Sequence, residues 1–406
     1  MRILVLTSRR IESRQSGYDL RVAHLCAHLP GEAHLVIAPL QPTGDPRPGL
    51  ETDALFESIE ELSPVMTGVM SVRRHLRLSD DHYLERTYPA AFALARSRLR
   101  EIVRAREITH VVVFGGDVAE LAGTLDHPHV LLDVCDSTAL TARRTLTGSA
   151  HPARGLRRWK DRLALHRKSA TEARFPSRFE RVITISEPDA RAVEGRHGVR
   201  GAVATIPNGV DESFSCLPEP GTRRGVVFWG NLAFGPNRDA LWFFVHEVFL
   251  PTLRDAGVEL CVVGSDAPDW LSKLAAREPR IVLTGFVDDL TTLVTRYPIM
   301  VNPMCTGSGL KNKVLEAFGL GLVVVSTPLG VEALPQLEDG THVVCADDAA
   351  GFGSGVLTLL DDEDHRRSIR AAAHTVVHDH YRWEVVGRAW QGLFRIDQSR
   401  TGHTRS

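Results

Sequence analysis

Residues Asn302-Pro303-Met304-Cys305-Thr306-Gly307-Ser308-Gly309-Leu310-Lys311-Asn312-Lys313-Val314-Leu315-Glu316-Ala317-Phe318-Gly319 have the types and spacing that point most directly to chemistry. An apolar run ends, a turn containing Gly307 and Gly309 follows, and a helical pattern begins. Glycines there let backbone N–H groups approach a ligand closely. A helix N-terminus at the same place offers unpaired N–H groups and a favourable dipole to an anion. Lys313 lies one turn into that helix, within reach of a phosphate. Glu316 follows at i+3 and shares its face. A carboxylate beside a diphosphate is poorly placed for charge but well placed to accept bonds from ribose hydroxyls. The plain alternative is a helix with one Lys–Glu surface pair.

Three further turns of the same kind accompany it. Trp229-Gly230-Asn231-Leu232 ends a strand, and Phe234 to Leu241 opens a helix with Pro236 suited to its first turn. Thr284 to Leu290 and Val323 to Gly330 are two more strand-to-helix junctions. All four fall at C-terminal ends of strand patterns, where open α/β sheets bind ligands.

The elements that must position these turns are legible along the chain. Short apolar runs alternate with helical patterns: Ile3–Leu6, Leu35–Ala38, His110–Phe114, Val130–Asp133, Val182–Ile185 and Ala202–Ile206. A second series follows: Val226–Trp229, Glu259–Val263, Ile281–Thr284, Ile299–Asn302, Leu322–Ser326 and His342–Cys345. Such runs are buried on both faces, as parallel strands under helices must be. The expectation is α/β architecture with two doubly wound parallel-sheet, Rossmann-like domains. The series restarts near Ile206-Pro207-Asn208-Gly209-Val210-Asp211, with Pro218, Pro220 and Gly221 close behind. That places residues 1–207 in a first domain and 208–380 in a second. A last helix, Trp383–Phe394, and a disordered tail after Asp397 fall in 381–406. Pro42–Gly49 is expected to be a solvated loop.

Composition narrows the classes. The 406 residues are 43% apolar and 24% charged, with a formal net charge of −2. That balance excludes strong non-specific nucleic-acid binding. No apolar run approaches the roughly 20 residues of a membrane span. The N-terminus reads as a buried first strand rather than a signal peptide. Six cysteines (Cys26, Cys135, Cys216, Cys261, Cys305, Cys345) lie far apart, which fits a reducing cytoplasm. Lysine occurs only at 160, 168, 273, 311 and 313, every other cation being arginine. Two of these five retained lysines sit in the glycine-turn segment.

The motifs resemble those of the retaining glycosyltransferases of family 4, which have the GT-B fold. The resemblance rests on RVITISE (Arg181–Glu187), IPNGVD (Ile206–Asp211), GFVDD (Gly285–Asp289), GSGLKNKVLEAFG (Gly307–Gly319) and VVSTPLG (Val324–Gly330), in order and at family spacing. Trp383 resembles the tryptophan that opens a C-terminal helix crossing back to the first domain. The resemblance implies retention of anomeric configuration, no metal, and a leaving phosphate that helps deprotonate the acceptor. Glu316 matches the second glutamate of the family's E-x7-E pair, the one that binds the donor ribose. The first glutamate falls at Ser308, and the family's diphosphate-clasping Arg and Lys fall near Asn231 and Asn237. A branch with G-x-G-x-K-x-K-x-LEA shares these departures, and there Lys313 takes over neutralisation of the diphosphate. Lys313 and Glu316 are thus the expected catalytic pair. Gly17, Asn231, Asn237, Phe286, Val287, Ser308, Gly309, Leu310 and Leu315 are the expected donor contacts.

The first domain is read more openly. Ser16-Gly17-Tyr18-Asp19-Leu20-Arg21 resembles the family's glycine loop and is not a dinucleotide fingerprint. Arg21, Asp133 and Asp136 are candidate acceptor-side residues, with strand-end capping the alternative for the aspartates. Asp117 reads first as a helix cap. His374, His378 and His380 lack the companions of a metal site and read as a solvated helix end. No Asp-x-Asp follows an apolar strand as a metal-dependent GT-A enzyme requires. From Arg143 to Arg181 there are twelve Lys/Arg against Asp161, Glu172 and Glu180. Leu156, Trp159 and Leu163 recur there at helical spacing, which fits either inward packing of Trp159 or a peripheral contact with an anionic membrane.

The reading is a retaining, metal-independent glycosyltransferase with no cofactor. Its donor is a nucleotide-diphosphate sugar, a UDP-sugar being favoured, and its acceptor hydroxyl is a glycan, lipid-linked or natural-product one. Alternatives are a nucleotide-sugar epimerase, a non-catalytic GT-B partner protein, and an NAD-dependent oxidoreductase.

Overall fold

Valine-rich runs with no polar alternation form the centre of each of two parallel sheets. The computed structural model describes residues 1–11, 17–41, 51–66, 82–148, 155–195, 203–214 and 222–394. Ser16, Pro42–Gly49, Ala202, Cys216, Pro218, Pro220, Gly221 and the tail after Asp397 lie outside them.

The first sheet contains β1 (Arg2–Thr7), β2 (Glu32–Ile37), β3 (Ser58–Glu61), β4 (His110–Phe114), β5 (Val130–Cys135), β6 (Arg181–Thr184) and β7 (Val203–Thr205). Its order is β3-β2-β1-β4-β5-β6-β7. The second contains β8 (Gly225–Trp229), β9 (Glu259–Val263), β10 (Ile281–Gly285), β11 (Ile299–Asn302), β12 (Val323–Ser326) and β13 (Val344–Cys345), in the order β10-β9-β8-β11-β12-β13. Every pairing within these sheets is parallel. Strand order reverses beside the first strand of each sheet, which opens a crevice there.

The two-residue period of a strand sends alternate side chains to opposite faces. Leu4 and Leu6 join one core cluster with Phe92 and Leu99, while Ile3 and Val5 join another with Val22, Leu25 and Trp390. The second sheet divides likewise, Val227 and Trp229 on one side and Val226 and Phe228 on the other. β3 escapes the sequence pattern because Ser-Ile-Glu-Glu has no apolar run and stays partly exposed.

The junction Ile206–Asp211 is pinned by the C-terminal end of the chain. Val210 N–H donates to the Tyr381 carbonyl at 2.7 Å. A Cβ at Gly209 would stand 2.6 Å from the Trp383 ring, so only glycine fits. Trp383 stacks on His24 at 4.3 Å, and the helix Trp383–Gly392 buries Trp390 against Phe114 of the first domain.

Candidate active site

A cleft of about 1020 Å³ opens between the C-terminal edges of the two sheets. The helix Asn312–Gly319 starts at its floor, after the Gly307/Gly309 turn. Both glycines have positive φ, 96° and 72°, a region costly for other residues. Lys313 and Glu316 both line the cleft.

The Lys313 ammonium donates to Asn237 Oδ1 at 2.9 Å and sits 4.0 Å from the centre of the Phe228 ring. Burial, reinforced by neighbouring Lys311, pulls its pKa down to about 7, and Glu316 opposes the shift. Asn237 in turn donates to the Asn231 carbonyl at 2.8 Å. One side chain therefore supplies charge at the place where Asn231 and Asn237 have none. Glu316 Oε2 accepts from the Trp229 indole N–H at 2.9 Å, and burial raises its carboxyl pKa. Lys311 donates to the carbonyls of Ser308 and Gly309, each at 2.8 Å, so its ammonium holds the turn together. Burial lowers its pKa to about 8.

The turn is gripped from the first domain. Ser308 Oγ meets Thr141 Oγ1 at 2.5 Å and donates to the Ser137 carbonyl at 3.1 Å. Gly309 N–H donates to Asp189 Oδ2 at 3.1 Å. Arg144 donates to the Gly307 carbonyl at 2.9 Å and pairs with Glu332. Asp136 accepts from Ser308 at 3.3 Å, and burial with Asp189 close by raises its pKa.

Gly17, Asn231, Asn237, Phe286, Val287, Ser308, Gly309 and Leu310 line this cleft with Asp136. Phe286 stands at the rim, 65% exposed. Leu315 does not line it: at 1% exposure it packs into the core of the second domain. Its position one residue before Glu316 turns it about 100° away around the helix, toward the core.

Arg21 and Asp133 also line the cleft, where they form a buried ion pair rather than free polar groups. Their side chains are each 1% exposed and joined by Nη2–Oδ2 at 2.7 Å, with Nε to both carboxylate oxygens. Arg21 also donates to the Ile206 carbonyl and to Asn208 Oδ1. Asp133 further accepts from Cys135 N–H at 2.8 Å, which is strand-end capping. Buried charges survive only when paired in this way. Asp117 accepts from Val118 N–H at 3.2 Å.

Several residues at the cleft or its glycine turn were not among the expected site residues. Asn208 donates to Asn312 Oδ1 at 3.0 Å and links the junction to the helix of Lys313. Phe234, which opens the segment read as a helix start, lines the cleft at 52% exposure, and Asp189 reaches the turn from 120 residues away. Lys311 carried a signal as one of the scarce lysines and Asn208 as part of IPNGVD, whereas Asp189 carried none.

Residues 223–362 match the family model described as glycosyl transferases group 1. A phosphatidyl-myo-inositol mannosyltransferase of Mycolicibacterium smegmatis is 28% identical over 190 residues, 45% of this chain and 48% of that one. An uncharacterized 44.6 kDa protein in the cps region of Klebsiella pneumoniae is 22% identical over 164 residues, 38% and 42% of the two chains. The chain thus spans about half the length of the curated relatives it matches. Among solved structures, the sucrose-phosphate synthase of Thermosynechococcus elongatus superposes with a TM-score of 0.68 at 14% identity, covering 97% of this chain and 98% of its own. Anabaena HepE in complex with UDP gives 0.64 at 14% identity, covering 97% and 99%. The chain has the GT-B fold, and the second of its two domains carries the match to group 1 glycosyl transferases.

Proposed function

We propose that this protein moves a sugar from a nucleotide-diphosphate donor to an acceptor hydroxyl, with retention of configuration and no metal ion. The buried Lys313 ammonium, held by Asn237 at the start of a helix, carries this reading. Its desolvation leaves it short of a counter-charge, which a diphosphate supplies. In the reaction the sugar–phosphate bond breaks and charge grows on the departing diphosphate. Lys313 and the helix N–H groups stabilise that charge. The acceptor oxygen bonds to the anomeric carbon, and a leaving-phosphate oxygen takes its proton. Glu316, oriented by Trp229, accepts from the ribose hydroxyls. The related HepE binds UDP, which supports a UDP-sugar as donor.

The test is a panel of UDP, GDP, ADP and dTDP in thermal unfolding, followed by turnover of the matching sugar donor with chelator present. A ligand at a hundred times its Kd adds about 2.7 kcal/mol of stability. The expected result is stabilisation by UDP and an axial-linked product by NMR from an axial donor. UDP binding without turnover of any donor would leave a non-catalytic partner as the reading, and product formation abolished by chelator would overturn metal independence.

A further inference from the structure

Three successive carbonyls of the glycine turn are held by cations. Arg144 donates to Gly307 at 2.9 Å, and Lys311 to Ser308 and Gly309 at 2.8 Å each. Lys311 belongs to the same segment, whereas Arg144 comes from the helix Thr138–Gly148 of the first domain. Its guanidinium is mostly buried and bonds Glu332 at both prongs, Nη1 to Oε1 and Nη2 to Oε2. A planar fork held at both prongs has one orientation, and Nη1 is thereby aimed at Gly307. In a trans peptide the carbonyl of one residue and the N–H of the next point opposite ways. Fixing these three carbonyls therefore fixes the N–H groups of Ser308, Gly309 and Leu310. Gly309 N–H is taken by Asp189. Those of Ser308 and Leu310 have no partner among the described residues, and both residues line the cleft. Arg144 is not among the lining residues and stands behind the turn.

We infer that Arg144 is a positioning residue for the transfer: by holding the Gly307 carbonyl behind the turn, it aims the Ser308 N–H into the cleft at the distal phosphate of the donor. The inference rests on the cleft being the donor site. On that reading the ribose lies at Glu316 and the diphosphate at Lys313, one turn nearer the helix start. The glycine turn precedes Lys313 and so faces the phosphate farther from the ribose. That phosphate gains charge as the sugar–phosphate bond breaks, and an N–H already aimed at it stabilises the charge without reorganisation. A Gly307 carbonyl left unheld would be free to swing toward the cleft and repel the same charge. The group that prevents this is supplied by the opposite domain, so the first domain shapes the leaving-group site without touching the donor's diphosphate there.

Titration calorimetry with UDP and UMP tests this, because only UDP has the distal phosphate. Arg144→Met combined with Glu332→Gln removes the fork and leaves no carboxylate stranded. The double variant is expected to weaken UDP about tenfold, the scale of one charge-assisted hydrogen bond, and UMP less than about twofold. Arg144→Lys keeps a donor for the Gly307 carbonyl and should recover most of the UDP affinity. Glu332→Gln alone leaves the Arg144–Gly307 bond in place and should keep that affinity. A double variant that binds UDP as well as wild type overturns the proposal. So do equal losses for UDP and UMP, which would mean that Arg144 only holds the domains together. An Arg144→Lys variant as weak toward UDP as the double variant overturns it too. Wild-type protein that binds neither nucleotide fails the donor reading, and the inference with it.

Discussion

At the scale of single residues, Lys313 is a largely desolvated cation lining the cleft, and on the proposed reading it awaits a diphosphate. Replacing it by alanine is expected to lower kcat/KM at least ~100-fold, about 2.7 kcal/mol, the effect of one lost transition-state donor. Steady-state kinetics on a variant with native circular dichroism checks this, and an unchanged rate would remove Lys313 from the chemistry. The same burial makes binding pH-dependent. The free protein's Lys313 loses its proton near pH 7, because desolvation disfavours the charged form. Bound diphosphate favours the ammonium, so binding takes up a proton once the pH exceeds that value. UDP affinity should fall as pH rises above about 7, approaching about tenfold per pH unit, and calorimetry in buffers of different ionisation enthalpy would register the proton. Lys313→Met should flatten the profile. Glu316 has one oxygen bonded by the Trp229 indole, and on the proposed reading its carboxylate accepts from the ribose. Glu316→Gln should weaken UDP binding by about 1.5–3 kcal/mol, and by less for 2′-deoxy-UDP. Equal losses for both nucleotides would place the carboxylate away from the ribose.

At the scale of elements, the glycine turn before the helix Asn312–Gly319 is shaped by the opposite domain. Thr141, Arg144 and Asp189 each hold one of its residues. Ser308 suits this contact because a hydroxyl can meet Thr141 and Ser137 without adding charge. Asp136 and Asp189 already stand close enough to raise the Asp136 pKa. Ser308→Glu would set a third carboxylate there. It should cost more than the about 1–3 kcal/mol of an unsatisfied buried polar group, because it carries charge, and loosen the domain contact. Faster amide exchange in 138–148 would report it, and unchanged protection would mean that the turn tolerates a carboxylate.

At the scale of the whole molecule, a buried polar chain ties the first domain, the junction and the donor helix together. It runs Asp133–Arg21–Asn208–Asn312. Asp133→Ala leaves the Arg21 guanidinium buried without its counter-charge, which should cost about 3–5 kcal/mol in urea unfolding. Pairing it with Arg21→Met should recover most of that loss, since an apolar pair of similar volume avoids the desolvation penalty. A single variant as stable as wild type would show that water reaches the pair. Because Asn208 bonds both Arg21 and Asn312, the single variant should also raise the donor KM.

What the residues determine alone is what depends on near neighbours. The runs at Val111-Val112-Val113 and Val226-Val227-Phe228 had to become central parallel strands, because nothing polar interrupts them. Glycines at 307 and 309 before a helical Lys313 and Glu316 already implied an anion site, since spacing of three puts both on one face. Short β3 was hidden because Ser-Ile-Glu-Glu carries no apolar run and pairs only with β2. Only the tertiary structure decided that Arg21 and Asp133 form a buried pair, as they lie 112 residues apart and look locally like two polar cleft groups. Only it turned Leu315 inward and Trp159 outward, because helical periodicity defines a face but not what covers it. The grip of Asp189 on Gly309 likewise exists only once the C-terminal edges of the two sheets converge and bring distant loops within hydrogen-bond distance.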